Sequence, residues 1–115
     1  MVIKIIRDKT PVSVLKEIAR ETFGIMVKAV VDVEKGIMAV GGELHSDEEA
    51  LLIEMGSKQE NLWGINIYPE MNGDKFIDFY SLINLRPAQG NRSFGVDDPQ
   101  VKKKIAEIVN ELIER

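Results

Sequence analysis

The single histidine of this 115-residue chain lies in Glu43-Leu44-His45-Ser46-Asp47, with a carboxylate two residues away on either side. In an extended segment alternate side chains share a face, so positions 43, 45 and 47 would converge. Two carboxylates and an imidazole can bind a divalent cation, or can orient His45 as a general base. Glu43 and His45 are therefore the candidate catalytic residues. No further ligand at metal-site spacing accompanies them, so no metal is assigned. The plainer reading is a solvated histidine in an acidic turn, where Asp47, Glu48 and Glu49 favour a helix N-terminus.

A second stretch, Arg86-Pro87-Ala88-Gln89-Gly90-Asn91-Arg92-Ser93-Phe94-Gly95, concentrates two arginines, two amides, a serine and two glycines. Guanidinium forks match carboxylate and phosphate oxygens, and glycines let backbone N–H groups approach an anion closely. Arg86, Gln89, Asn91, Arg92 and Ser93 are the candidate ligand-binding residues, with an anionic small molecule as the ligand. The Gly-Lys-Ser/Thr ending of a P-loop is missing. The competing structural role is pairing of both arginines with the protein's own carboxylates, with the amides tying the loop down. No dinucleotide fingerprint or nucleophile elbow is present, so no cofactor is named. Lys102-Lys103-Lys104 reads as a solvated helix face.

The elements that must position these groups follow from pattern. Val2 to Ile6 is a short strand. Thr10 and Pro11 open a helix in which Val14, Leu15, Ile18, Ala19, Thr22 and Phe23 recur at helical spacing, and Gly24 closes it. Met26–Val33 and Ile37–Leu44 are strands joined at Lys35-Gly36. A two-residue loop there places Val31 opposite Val40 and Lys28 opposite Glu43. Leu62–Tyr68 and Lys75–Arg86 form a second hairpin around Asn72-Gly73. A three-residue loop, Asn72-Gly73-Asp74, sorts its faces by pairing Ile67 with Phe79 and Asn66 with Tyr80. Asp98 caps a last helix with Pro99 at its first position, and Val101, Ile105, Ile108, Val109, Leu112 and Ile113 form its apolar stripe. Residues 46–56 fit either a short helix, from the Ser46/Glu49 capping box, or a buried strand through Leu51-Leu52-Ile53. The strand is preferred, because it leads directly into the next one.

These elements compose one α+β domain over residues 1–115: an antiparallel, largely meandering sheet with two main helices packed on one face. Its other face would then be polar, carrying Lys28, Asp32, Glu43, Asn66, Tyr68, Asp78, Tyr80, Asn84 and Arg86. Such a face is solvated, binds a ligand, or stacks against a second copy, and Tyr68 and Tyr80 suit the last two.

Whole-chain properties narrow the class. The chain has 44% apolar and 30% charged residues and no cysteine, which describes an ordinary globular domain without disulfides or thiolate metal sites. The N-terminal stretch is too short and too charged for a signal peptide, and no apolar run is long enough to span a membrane. A cytoplasmic location is expected. A net charge of −4 disfavours nucleic acid as a partner.

Three stretches carry a resemblance: Lys28 to His45 (KAVVDVEKGIMAVGGELH), Gly56 to Pro69 (GSKQENLWGINIYP) and Ile83 to Ser93 (INLRPAQGNRS). They resemble a family of small uncharacterised bacterial and archaeal proteins, classed as a domain of unknown function. The resemblance implies a stand-alone prokaryotic protein and assigns no activity, substrate or catalytic residue. Two functions remain open: a small-molecule or anion-binding protein, with enzymatic activity undecided, and a structural or interaction protein that forms a homodimer.

Overall fold

The computed structural model describes residues 2–115. In chain order the elements are β1 (Lys4–Ile6), β2 (Thr10–Pro11), α1 (Val12–Glu21), β3 (Val27–Asp32), β4 (Ile37–Val40), α2 (His45–Glu54), β5 (Leu62–Ile67), β6 (Ile77–Asp78), α3 (Pro99–Leu112) and β7 (Ile113–Glu114). Five strands form a sheet in the order β1-β4-β3-β5-β6, every pair antiparallel. β2 and β7 pair in parallel as a separate two-stranded ribbon, tying the end of α3 to the start of α1. The fold is α+β, as the sequence pattern implies.

Strand alternation sorts the core into two layers. Ala29 and Val31 of β3, Met38 and Val40 of β4, and Trp63, Ile65 and Ile67 of β5 meet the stripes of α1 and α3 in the larger cluster. Leu15 and Ala19 come from α1, and Ile105, Ile108, Val109 and Leu112 from α3. Each of the valine, leucine, isoleucine and methionine side chains here contributes about 1.5–3 kcal/mol on full burial, so this layer dominates the stability. Asp98 accepts a hydrogen bond from the Gln100 N–H and starts α3 with Pro99 behind it, as the pattern requires.

The opposite face departs from expectation. Residues 45–54 are the helix α2, which covers that face: Leu52 packs on Val30, Ile37, Ala39 and Leu62 in a second cluster. A strand there would have given the sheet a sixth member but left Val30, Ala39 and Leu62 in water. Burying this second apolar layer decides for helix. The polar face is consequently not an open platform, and Asp32, Asn66 and Asn84 are buried.

Both hairpins are shifted two residues from the expected registers. Val31 faces Met38 and Ala29 faces Val40. The cause is Asp32, whose Oδ1 accepts from the Glu34 and Lys35 N–H groups, organising a four-residue loop in place of two. Lys28 is accordingly not opposite Glu43. In the second hairpin Ile67 pairs with Ile77 and Asn66 with Asp78. A two-residue slip leaves side chains within the paired strands on their original faces while their partners change, but Ile83, expected opposite Trp63, lies beyond β6 and packs in the α2-side cluster instead. The long strand expected over 75–86 is only the two-residue β6, and the coil after it is held by side chains.

Candidate functional site

That coil determines the site. From Phe79 to Asp97 the chain makes only short 3₁₀ turns, over Leu82–Asn84 and Pro87–Gln89. Its backbone polar groups therefore need side-chain partners. Asn84, fully buried, receives the Gly64 N–H on Oδ1 at 2.8 Å and donates from Nδ2 to the Gly64 carbonyl at 2.9 Å. It occupies the place of a neighbouring strand at the middle of β5. Asn91 donates to the carbonyls of Asn84, Ser93 and Gly95, and its Oδ1 receives the Asp97 N–H.

Arg86 clamps the other end of the coil. It donates to the carbonyls of Ile83, Gln59 and Leu62, and its Nη2 lies 3.2 Å from Glu49 Oε2. The guanidinium centre sits 4.9 Å from the centroid of the Trp63 ring. Burial lowers its pKa, with Glu49 opposing that shift. Gln89 donates to the Glu60 carbonyl, and Ser93 donates to Asp97, whose carboxyl that bond holds below its ordinary value. Of the five residues singled out in this loop, Arg92 alone has an exposed side chain with no hydrogen-bond partner among the described residues.

His45 lies elsewhere, at the first turn of α2. Its Nε2 is 2.7 Å from the Ile65 carbonyl and its Nδ1 is 2.8 Å from Ser81 Oγ. A carbonyl only accepts, so Nε2 carries the proton and Nδ1 receives the Ser81 O–H. Burial lowers the imidazole pKa; the Ile65 carbonyl opposes that shift and Lys28 adds to it. The ring is neutral at pH 7. A neutral imidazole accepting a serine hydroxyl is the arrangement of a general base and nucleophile. Here, however, Ser81 is only 1% exposed, and its Oγ lies against β5 and also accepts the Ile83 N–H at 3.3 Å. The pair therefore joins α2, β5 and the coil, and holds the wall of a cavity.

The cavity measures about 340 Å³ and is mostly apolar. Leu44, Leu82 and Ile83 line it together with Lys28, Asn66 and Tyr80, and His45 and Ser81 form part of its wall. Asn66 is the unusual member. Its Nδ2 donates to Asp78 Oδ2 and to the Tyr80 carbonyl, two acceptors that fix the amide orientation. Its Oδ1 has almost no accessible surface and no hydrogen bond of ordinary geometry, and the side chain lies near enough to His45 to oppose the fall in the imidazole pKa. Glu43 is exposed and does not line this cavity, and no residue of the 86–93 loop does. Because α2 begins at His45, positions 43, 45 and 47 do not lie on one extended face. Among the described residues no group of three His, Cys, Asp or Glu side chains is placed to hold a metal ion.

A larger open groove of about 800 Å³ runs between β6 and α3. Its cations, Lys102 and Arg115, lie over the rings of Phe79 and Phe76, and no buried polar atom in it lacks a partner. The smaller cavity is the better candidate site, because its wall is mostly apolar with a few fixed polar groups, His45, Ser81 and Asn66, set into it.

A family model described as "Protein of unknown function (DUF5674)" matches residues 4–112. The chain belongs to that family. No curated protein and no solved structure matches the chain. The DUF5674 chain has no helix, among the described residues, that is long and apolar enough to cross a membrane.

Lys28, Asn66 and Tyr80 belong to the polar sheet face that the sequence offers as a ligand platform, whereas Ser81 is not picked out as a site residue. One signal bears on Ser81: Gly64 inside an otherwise apolar strand, which marks a close approach. A Cβ there would lie 2.5 Å from Ser81 Oγ and 3.2 Å from His45 Cγ. Gly64→Ala is expected to cost about 1–3 kcal/mol by overpacking. Chemical denaturation checks it, and the double variant with Ser81→Gly should lose less than the sum of the single losses. Strict additivity would contradict the contact.

Proposed function

We propose that this protein binds a small molecule in the cavity between the start of α2 and the coil after β6. The observation that carries the reading is a mostly apolar cavity of about 340 Å³ whose wall is fixed by the hydrogen bonds of His45, Ser81 and Asn66 and whose mouth exposes Leu44, Tyr80 and Leu82. Lys28 is the cation that lines the cavity, with its Nζ 5.3 Å from the centroid of the Phe23 ring. Arg92, whose side chain makes no hydrogen bond among the described residues, does not line this cavity. His45 and Ser81 shape the cavity, and the reading is of a binding protein.

A thermal-shift screen against apolar-bearing small acids and amides, phosphates, nucleotides and divalent metals tests this. A ligand at a hundredfold excess over its Kd stabilises the native state by about 2.7 kcal/mol. The expected result is a shift with apolar-bearing compounds that Leu82→Glu, at the exposed rim, abolishes. Shifts confined to metals or phosphate, unaffected by that substitution, would overturn it.

The second reading, a homo-oligomer, is favoured by the exposure of Leu44 (56%), Tyr80 (52%) and Leu82 (69%) around the same mouth. Sedimentation of the wild type and of Leu82→Glu separates the two: a dimer dissociated by that substitution would select the oligomer.

A further inference from the structure

Asparagine is chemically labile where the next residue's nitrogen can reach its side chain, and the chain holds six asparagines, at positions 61, 66, 72, 84, 91 and 110. We infer that Asn72 is a site of spontaneous covalent modification: the Gly73 nitrogen closes on the Asn72 side-chain amide, ammonia leaves, and an aspartyl or isoaspartyl residue remains in the loop between β5 and β6. This is independent of the cavity and of any ligand in it.

The reaction needs only water and its hydroxide. Hydroxide takes the proton of the Gly73 N–H, the N–Cγ bond forms, and the Cγ–Nδ2 bond breaks as the amide nitrogen leaves as ammonia. Water then opens the succinimide. Attack at Cγ restores the ordinary main chain with a carboxylate side chain, and attack at the main-chain carbonyl routes the chain through the former side chain. Three conditions follow: an unengaged side-chain amide, a following N–H without an acceptor, and room for the ring.

Asn72 meets all three among the described residues, and the other five do not. After Asn61, Asn84 and Asn91 the next N–H is engaged, by the Gln59 carbonyl, the Leu82 carbonyl and the Asp97 carboxylate. Ile67, after Asn66, lies between two paired strands, and Glu111, after Asn110, lies inside α3. Asn72 is exposed, its side chain caps nothing, and the Gly73 N–H has no backbone acceptor. A Cβ at Gly73 would meet nothing within 4 Å, so the attacking nitrogen stands in open space. The Asn72 backbone is extended, with φ −124° and ψ 162°, so ψ must rotate to bring that nitrogen onto Cγ. The rotation gives up the bond from the Lys75 N–H to the Asn72 carbonyl, which at 3.3 Å is already long. Below the loop, the Tyr68 N–H donates to the Phe76 carbonyl at 2.9 Å and the Phe76 side chain is buried, so the hairpin holds through the change. The new carboxylate adjoins Gly73 and Asp74, which line the groove between β6 and α3.

The test incubates the full chain in weakly acidic and weakly alkaline buffer, beside the free peptide of residues 70–75 (EMNGDK). Peptide mapping with fragment-ion sequencing follows the amide-to-acid mass gain at each asparagine. The gain is expected first at Asn72, in aspartyl and isoaspartyl forms, with an added negative charge on ion exchange. Its rate should rise about tenfold per pH unit, as the deprotonated fraction of a weak acid does. Asn72→Gln, whose longer side chain must close a larger ring, should lose the early gain. A gain at any other asparagine as early as at Asn72, or an unchanged Asn72 in the folded chain after the free peptide has reacted, would overturn the inference.

Discussion

Between pH 7 and pH 9 the protein is expected to lose about 2 kcal/mol of folding stability, and the Glu48→Gln variant almost none. Glu48 projects from α2 into the core with no exposed surface, and its Oε2 accepts the Gly42 N–H at 2.9 Å while Oε1 has no partner. Burial raises its pKa from an ordinary 4.5 to about 9; the Gly42 N–H and Lys28 oppose that shift. The folded protein thus holds a proton that the unfolded chain releases above pH 4.5. The stabilising contribution is complete below pH 4.5 and is lost as pH rises to about 9, by up to about 1.4 kcal/mol per unit.

His45 acts in a different window. Its depressed pKa makes stability fall as pH drops below the ordinary 6.5, because the unfolded chain then takes up the proton. Above pH 7 both states hold it neutral, so urea titrations from pH 7 to 9 isolate Glu48. A wild-type profile as flat as that of Glu48→Gln would show that Glu48 is ionised in the fold. The close packing of Gly42 fits a neutral carboxyl, since a Cβ there would stand 2.8 Å from Glu48 Cγ and leaves no room for water at that point.

Replacing Arg86 should be comparably damaging. Arg86→Ala is expected to cost about 3–5 kcal/mol, because it strands Glu49 at a side-chain exposure of 13% and removes the donor from three backbone carbonyls. It also uncovers one face of Trp63. Arg86→Lys keeps the charge but not the planar fork, and should recover less than half of the loss. Denaturant midpoints measure both. A loss below about 1 kcal/mol for the alanine variant would show that the clamp contributes little beyond a surface ion pair.

Much of the framework was legible in the sequence, because it rests on local periodicity. The stripes of α1 and α3, the Asp98-Pro99 start, the alternation in β3 and β5 and the side-chain faces within the paired strands all depend on residues close in the chain. A two-residue error in register leaves those faces unchanged. The stretch from His45 to Glu54 was ambiguous for the same reason: Leu51-Leu52-Ile53 suits a strand as well as a helix, and only the uncovered surface of Val30, Ala39 and Leu62 favours the helix.

The candidate site was far less visible, since none of its contacts is local. Residue types in the 86–93 loop were read for their chemistry, and Arg86 and Asn91 do make strong hydrogen bonds. Which partner receives those bonds, a ligand or the protein's own carbonyls, depends on where β5 and α2 lie. The same holds for His45, whose partners Ile65 and Ser81 are 20 and 36 residues away in the chain. By itself the sequence determined the helices α1 and α3 and the strands β1, β3, β4 and β5, because covalent geometry and hydrophobic period act over a few residues. Tertiary structure alone decided which polar groups are satisfied and which two, Glu48 Oε1 and Asn66 Oδ1, are left without a partner, because hydrogen bonding of buried groups is settled only when distant segments pack.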